Sequence, residues 1–207
     1  NTPTLLPVIN PNIRTIEPRD MWNNYGVECL ITNSYIIRNS ENLNISAKEN
    51  GVHSLLNFPG AIMTDSGTFQ SYVYGEIEVG PAEIIEFQKE IGVDIATMLD
   101  VFGKPNLNFE ESKEVVEETV SRSEISIKTA DGLMLNGPIQ GGLFSELREL
   151  SAKKMSEYDF TIHPIGGIVP LMEKQKYLEL IKIISSCRNF VPPSRPVHLF
   201  GCGHPHL

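Results

Sequence analysis

The sequence predicts an α/β fold built on parallel strands, either doubly wound or closed into a barrel. Short runs rich in β-branched and other apolar residues alternate with amphipathic stretches along the whole chain. No internal repeat or low-complexity segment interrupts this alternation. At 207 residues the chain is long enough for one large domain, or for two small ones, with a buried core.

Seven runs are expected to be strands, because they are short and rich in residues that strands favour. In chain order they are TLLPV (Thr4–Val8), VECLIT (Val27–Thr32), GAIMT (Gly60–Thr64), DIATML (Asp94–Leu99), LMLNGPI (Leu133–Ile139), DFTIH (Asp159–His163) and PVHLF (Pro196–Phe200).

Helices are expected between these strands, where the chain becomes amphipathic. The segment GEIEVGP, after the third strand, is expected to be a small inserted hairpin. The helix that follows it begins with Pro81, which fits a first helical position, and Ile84, Ile85 and Phe87 then recur at helical spacing. The expected helices are Pro18–Tyr25, Glu41–Glu49, Pro81–Ile91, Phe109–Thr129, Phe144–Glu157 and Glu173–Cys187.

Composition narrows the classes of protein to consider. A net charge of −9 is a poor basis for binding nucleic acid, because phosphate contacts need Lys and Arg. No apolar run approaches the roughly 20 residues of a membrane helix, and the N-terminus does not resemble a signal peptide, so we expect no membrane partner. The cysteines (Cys29, Cys187 and Cys202) are far apart and odd in number, which favours a reducing cytoplasm over a disulfide framework. None forms a Cys-x-x-Cys pair, so no metal site is expected in this chain.

Polar and glycine residues follow five of the expected strands. Ligands of parallel α/β folds bind at the carboxyl ends of the strands, so these positions are expected to form one rim. They are Asp65-Ser66-Gly67 after the third strand, Asp100 after the fourth, Gln140-Gly141-Gly142 after the fifth, Gly166-Gly167 after the sixth and Gly201-Cys202-Gly203-His204 after the seventh.

These residue types suit the recognition of a flat, polar heterocycle. A carboxylate accepts a pair of N–H groups, as on a guanine edge, and a glutamine amide offers a donor and an acceptor. Phe69 or Phe200 could stack on the ring. A second carboxylate beside a sugar could act as general base or as nucleophile. Asp65 has no basic neighbour in the sequence, and we expect it to stay unpaired so that it can exchange protons.

Plainer interpretations exist for each feature on its own. Asp-Ser-Gly is usually a turn or a helix cap, and paired glycines are commonly loops. His163 and His198 are expected to be structural, and most Lys and Arg side chains are expected to be solvated. The joint placement of these residues on one rim favours a binding site over separate turns.

Five segments resemble the tRNA-guanine transglycosylase family, in its archaeal form. They occur in the family's order and span nearly the whole chain: DSGTFQ (Asp65–Gln70), GVDIATMLD (Gly92–Asp100), PIQGG (Pro138–Gly142), HPIGGIVPLME (His163–Glu173) and RPVHLFGCGHP (Arg195–Pro205). The resemblance implies a (β/α)8 barrel. It also implies an enzyme that replaces guanine in tRNA with 7-cyano-7-deazaguanine on the way to archaeosine.

The resemblance assigns roles to the residues of the rim. Asp65 would be the general acid/base beside the ribose, with Ser66 next to it in the site. Asp100 would accept hydrogen bonds from the guanine-type edge. The remaining base contacts would be Phe69 and Phe200 as the stacking pair, and Gln140 with the backbone of Gly166, Gly167 and Ile168 on the opposite edge. The loop Gly201, Cys202, Gly203 and His204 would lie along the RNA.

The family's nucleophilic Asp and its zinc site are not found in this chain, and seven strands are one short of a closed barrel. We therefore expect residues 1–207 to be the catalytic barrel portion, with strand eight, zinc and any C-terminal RNA-binding domains supplied elsewhere. The expected partners are tRNA, the deazaguanine base, and a missing C-terminal segment or second polypeptide, with self-association as a further option. Two alternatives are a non-catalytic tRNA-docking subunit and a barrel enzyme acting on a free purine or sugar phosphate. Asp65 itself could also be the nucleophile.

Overall fold

The predicted α/β class with parallel strands is confirmed. The computed structural model describes residues 2–69, 79–104 and 106–203. These residues belong to two compact units, one comprising Asn1–Thr97 with Thr129–Met134, the other Met98–Lys128 with Leu135–Leu207.

The first unit is built on parallel strands in the order β1-β2-β3-β4. Their bounds are β1 Val8–Ile9, β2 Cys29–Asn33, β3 Ala61–Asp65 and β4 Ile95–Thr97. The register places Asn33 opposite Asp65, so the last residues of β2 and β3 are neighbours. Leu30 and Ile62 of these strands are fully buried, as are Ile84 and Ile85 of the fourth helix, so the strand–helix interface forms the core.

Four helices of this unit have bounds within the described residues: α1 Pro18–Tyr25, α2 Ser34–Asn39, α3 Glu41–Leu56 and α4 Pro81–Glu90. Helix α2 was not expected from the sequence, and it begins because the Asn33 side chain accepts the Ile36 N–H at 2.9 Å. Helix α3 continues beyond its expected end. It kinks at Gly51, whose φ is 80°, and resumes because Val52 and Leu56 are buried.

The second unit contains the last two residues of β5 (Met134–Asn136), and the parallel strands β6 (His163–Ile165) and β7 (Val197–Leu199). Parallel bridges join Asn136 to Ile162 and Ile139 to Ile165. The remaining helices of the described residues, in chain order, are α5 Phe109–Ser121, α6 Ser123–Ala130, α7 Ser145–Ser156, α8 Val169–Glu173 and α9 Tyr177–Arg188.

Several boundaries differ from the predicted ones. The first strand lies at Val8–Ile9 and not at Thr4–Val8, where Pro7 cannot donate to a ladder. The sixth lies at His163–Ile165, so its centre is three residues beyond that of the expected strand Asp159–His163. The last expected helix, Glu173–Cys187, begins only at Tyr177, because Gln175 before it adopts a positive φ of 54°. The short helix Val169–Glu173 that precedes it was not predicted. The predicted hairpin GEIEVGP falls mainly outside the described residues.

Among the described residues, we find no helix with both the length and the apolar character to cross a membrane.

Candidate base-binding site

Asp65 ends strand β3 and is half-buried. Its Oδ2 accepts a hydrogen bond from Asn33 Nδ2 at 3.0 Å, and its Oδ1 accepts one from the Gly67 N–H at 3.1 Å. The expectation that Asp65 stays unpaired is therefore wrong. Its first donor comes from the neighbouring strand end, a partner that lies 32 residues away in the sequence and becomes adjacent only through the strand register.

The backbone around Asp65 is held as firmly as its side chain. Ser34 Oγ donates to the Asp65 carbonyl, and Ser66 is buried with its hydroxyl 2.9 Å from Thr68 Oγ1. Gly67 has a φ of 82°, and a Cβ there would lie 2.3 Å from Tyr35 Cβ, so only glycine fits this turn. The carboxylate is thus fixed in direction by neutral donors on both oxygens.

The expected stacking residues are placed by different units of the chain. Phe69, in the first unit, exposes 51% of its surface. Phe200, in the second unit, is half-buried and packs edge-to-face on His198, with ring centroids 4.8 Å apart. Their pairing around a base stays a prediction.

The second unit brings together Asp100 and Gln140, which are 40 residues apart in the sequence. Gln140 Nε2 donates to Asp100 Oδ2 at 2.6 Å, and Gln140 is only 2% exposed. An ionised carboxylate only accepts hydrogen bonds, so the amide nitrogen has to face Asp100. That nitrogen carries a second proton, which could reach a carbonyl oxygen of a ligand beside the carboxylate.

The glycine pair Gly166-Gly167 lies directly against the Gln140 side chain. A Cβ at Gly166 would be 2.4 Å from Gln140 Nε2, and one at Gly167 would be 3.7 Å from Gln140 Oε1. Ile168 is buried and precedes helix α8 as its N-cap. Asp100, Gln140, Gly166 and Gly167 therefore form one contiguous group, while the ligand contacts assigned to them remain predictions.

Helix α7 supplies support that the sequence interpretation missed. Ser151 Oγ accepts the Gln140 N–H at 3.1 Å, and Arg148 donates to the carbonyls of Ile139 and Gly142, each at 2.9 Å. Arg148 is fully buried, an exception to the expectation that the basic residues are solvated. A signal was available, since Leu147, Arg148, Ser151 and Met155 recur at the spacing of one buried helix face.

The loop after β7 is described as far as Gly203, and His204 lies outside the described residues. Gly201 packs on Val169, because a Cβ there would be 2.4 Å from Val169 Cγ2. Burial raises the pKa of the Cys202 thiol to about 11, so this cysteine is a neutral thiol at physiological pH. The expected contact of this loop with RNA stays a prediction.

Residues 2–69, 79–104 and 106–203 contain no group of three His, Cys, Asp or Glu side chains that could hold a metal ion. The zinc site implied by the resemblance was assigned to a part outside this chain, and it stays a prediction.

Comparison with known proteins tests the resemblance. The family model described as Queuine tRNA-ribosyltransferase matches residues 1–207. A tRNA-guanine(15) transglycosylase of Methanococcus aeolicus is 48% identical over 212 residues, covering 100% of this chain and 32% of that protein. The protein of the same name from Methanosarcina acetivorans is 47% identical over 207 residues, covering 100% of this chain and 42% of the relative. A third, from Picrophilus torridus, is 49% identical over 205 residues, or 99% of this chain and 32% of the relative.

The chain thus spans between about a third and two-fifths of the length of these relatives. The match nevertheless extends over every residue of the chain, and the named relatives are archaeal, in agreement with the resemblance found in the motifs. The chain belongs to the Queuine tRNA-ribosyltransferase family.

Proposed function

We propose that this chain is the base-binding portion of an enzyme that replaces a guanine in tRNA with 7-cyano-7-deazaguanine, a step of archaeosine synthesis. The observation that carries the proposal is the contact between Asp100 and Gln140 against the Gly166-Gly167 backbone. The relatives' name, tRNA-guanine(15) transglycosylase, suggests guanine 15 as the target.

Recognition of the base follows from the hydrogen-bonding capacity of this group. Asp100 offers a carboxylate to the two adjacent N–H groups of a guanine-type edge, which guanine and its 7-deaza analogue share. The second proton of Gln140 Nε2 suits the neighbouring carbonyl oxygen of the same ring. Without side chains, the two glycines let the loop backbone approach the ring. A side chain at residue 166 would also occupy the place of the Gln140 amide. An adenine would present the opposite pattern of donors and acceptors, and it would leave the carboxylate unsatisfied.

Asp65 is assigned the proton transfers. Cleavage of the glycosidic bond leaves guanine with an extra electron pair on the ring nitrogen that was bonded to C1′, and Asp65 supplies a proton in its protonated form. The incoming base must lose the proton from the same nitrogen before it bonds to C1′, and Asp65 takes that proton back. The hydrogen bonds from Asn33 and Gly67 hold the carboxyl group in one orientation for both transfers.

The exchange also needs a nucleophile. A second carboxylate attacks C1′ as guanine leaves, and the deazaguanine nitrogen then displaces that carboxylate, so two inversions preserve the stereochemistry of the sugar. We assign this nucleophile to a C-terminal segment or a partner polypeptide, together with the zinc site and the basic surface that tRNA requires. The net charge of −9 supports this division, because this chain offers few cations for phosphate contacts.

The test is base exchange measured with the native enzyme, tRNA and labelled guanine. Incorporation of label is expected, and Asp65→Asn should abolish it while leaving the affinity for free deazaguanine unchanged. Asp100→Ala should abolish binding of the free base. Exchange by residues 1–207 alone would contradict the assignment of the nucleophile outside this chain. An enzyme that binds tRNA without exchange under any condition would favour the docking subunit instead.

A further inference from the structure

We propose that Arg148 is a positioning residue for base recognition, acting through the turn that carries Gln140. The inference rests on the proposed function and goes beyond it, because Arg148 is not among the residues assigned to the base. It forms hydrogen bonds to the backbone on both sides of Gln140.

Arg148 holds the Gln140 turn at two points. Its Nη1 donates to the carbonyl of Ile139, the residue before Gln140, and its Nε donates to the carbonyl of Gly142, two residues after it. Ser151, one turn further along α7, accepts the Gln140 N–H. Three hydrogen bonds from one helix face therefore fix the backbone from which the Gln140 side chain extends.

The fit between helix and turn is close enough that it depends on glycine. A Cβ at Gly141 would lie 2.8 Å from the Arg148 backbone nitrogen and 3.1 Å from Arg148 Cδ. The turn is therefore pressed onto α7 at the residue that follows Gln140.

Core packing alone does not explain an arginine at this position. Arg148 is fully buried, and within the described part of the chain no carboxylate forms an ion pair with it. Burial lowers its pKa to about 10, which still leaves the group charged at neutral pH. A buried charge without a counter-ion is expensive, and an apolar side chain of similar volume would fill the space without that expense. What the guanidinium adds is a set of directed donors on a rigid plane.

One nitrogen of Arg148 is directed beyond the turn. Nη2 is buried, and among the described residues it has no hydrogen-bond partner. A Cβ at Gly167 would lie 3.7 Å from this nitrogen and 3.7 Å from Gln140 Oε1. The guanidinium group therefore borders both parts of the base-reading group, the Gln140 turn and the glycine loop.

The test compares Arg148→Met and Arg148→Lys in the native enzyme. Arg188→Met is the control for loss of arginine hydrogen bonds to the backbone, because Arg188, although exposed, also donates to a backbone carbonyl, that of Val191 at 2.9 Å, in a loop without assigned site residues. The expected result is a loss of at least tenfold in affinity for free 7-cyano-7-deazaguanine for both Arg148 variants, with the KM for tRNA unchanged. Lysine should not rescue binding, because its single nitrogen on a flexible chain lacks the fixed planar spacing with which Nε and Nη1 of Arg148 reach the two carbonyls. Arg188→Met should leave base affinity unchanged.

Calorimetry of base binding and thermal denaturation of each variant separate positioning from simple loss of folded protein. If part of a variant is unfolded, calorimetry reports fewer binding sites. The proposal requires instead a higher Kd for the free base with the number of binding sites unchanged. In a Gln140→Ala background, Arg148→Met should cause no further loss of base affinity. Unchanged Kd in the Arg148 variants, full rescue by lysine, or an additive loss in the Gln140→Ala background would each overturn the inference. A wild-type enzyme that fails to bind the base would instead refute the proposed function.

Discussion

Substitution of Gly166 by alanine tests the base-reading group with a single methyl group. The ideal Cβ would lie 2.4 Å from Gln140 Nε2 and 3.0 Å from Gln140 Cδ. Real Cβ atoms do not approach other heavy atoms this closely, so the Gln140 amide has to move by about 1 Å. Because Gly166 does not have a positive φ, the change adds no backbone strain of its own.

The magnitude follows from the contacts that the displaced amide loses. Forcing a methyl group into a packed site costs about 1–3 kcal/mol. The hydrogen bond from Gln140 to the Asp100 carboxylate, at 2.6 Å, contributes about 1.5–3 kcal/mol because its acceptor is charged. If the base relies on the same amide, affinity for free deazaguanine should fall by about 10- to 100-fold, since each 1.4 kcal/mol is about tenfold.

Gly103 offers a control beside the same side chain. A Cβ at Gly103 would lie 3.7 Å from Gln140 Oε1 and 3.7 Å from Val115 Cγ1, which is ordinary van der Waals contact. Gly103→Ala should therefore bind the base like the wild type. Calorimetric titration of both variants with deazaguanine is the assay, and thermal denaturation establishes that each is folded.

The double variant with Gly166→Ala and Gln140→Ala separates a steric effect on the Gln140 amide from other effects of the new methyl group. Once Gln140 is alanine there is no amide for the new methyl group to displace, so Gly166→Ala should add little to the effect of Gln140→Ala. Wild-type affinity in Gly166→Ala, or equal losses in Gly166→Ala and Gly103→Ala, would refute the reasoning.

Three other predictions concern both units. Asp100→Asn keeps the size of the side chain but replaces an acceptor with a donor, and should weaken base binding by about 2–3 kcal/mol in calorimetry. Asn33→Ala removes a donor to Asp65 and the N-cap of α2, so it should lower stability by about 1 kcal/mol in denaturant unfolding and lower kcat with base KM unchanged. Burial lowers the pKa of His163 and of His198 to about 4, so the unfolded chain binds more protons between about pH 4 and 6.5 and stability rises with pH in that window. Unfolding between pH 5 and 7 should show this dependence, and His163→Gln should roughly halve it; an unaltered slope would contradict the assignment.

The fold was largely predictable because its signals are local. Helix α1 was predicted with its observed bounds, since Pro18 begins it and Gly26 ends it in the left-handed conformation. Helix α3 was predicted too short, because the sequence alone does not reveal that the chain resumes its helix after Gly51. The strand end at Asp65 was placed correctly to within one residue, whereas β4 ends at Thr97 and Asp100 follows three residues later.

The candidate site was predictable by residue type, but the partners of those residues were not. The contacts of Asn33 with Asp65 and of Gln140 with Asp100 join residues 32 and 40 positions apart, and they depend on strand register and on the side-chain geometry of the folded chain. Arg148 was overlooked because charged residues are seldom fully buried, so a basic residue on a helix is ordinarily assigned to the surface. Its neighbours on the buried face of α7 were the only indication in the sequence.

In both units the candidate site residues lie next to glycine-containing turns, and nearby side chains form hydrogen bonds that hold them in place. In each unit the functional side chain lies next to a glycine that cannot be replaced without a clash. A Cβ at Gly67 would clash with Tyr35, and a Cβ at Gly166 would clash with Gln140. Glycine gives these turns space but no rigidity, so their order has to come from hydrogen bonds made by side chains beneath them. Asn33 donates to the Asp65 carboxylate, and Arg148 donates to the carbonyls of Ile139 and Gly142 on either side of Gln140. Neither is expected to touch the base. Removing Arg148 should therefore accelerate amide hydrogen exchange in the Gln140 turn, while helix α7, which carries Arg148, exchanges at the wild-type rate. Faster exchange throughout the unit would instead show that the side chain supports the core, and it would remove the reason to connect these hydrogen bonds with function.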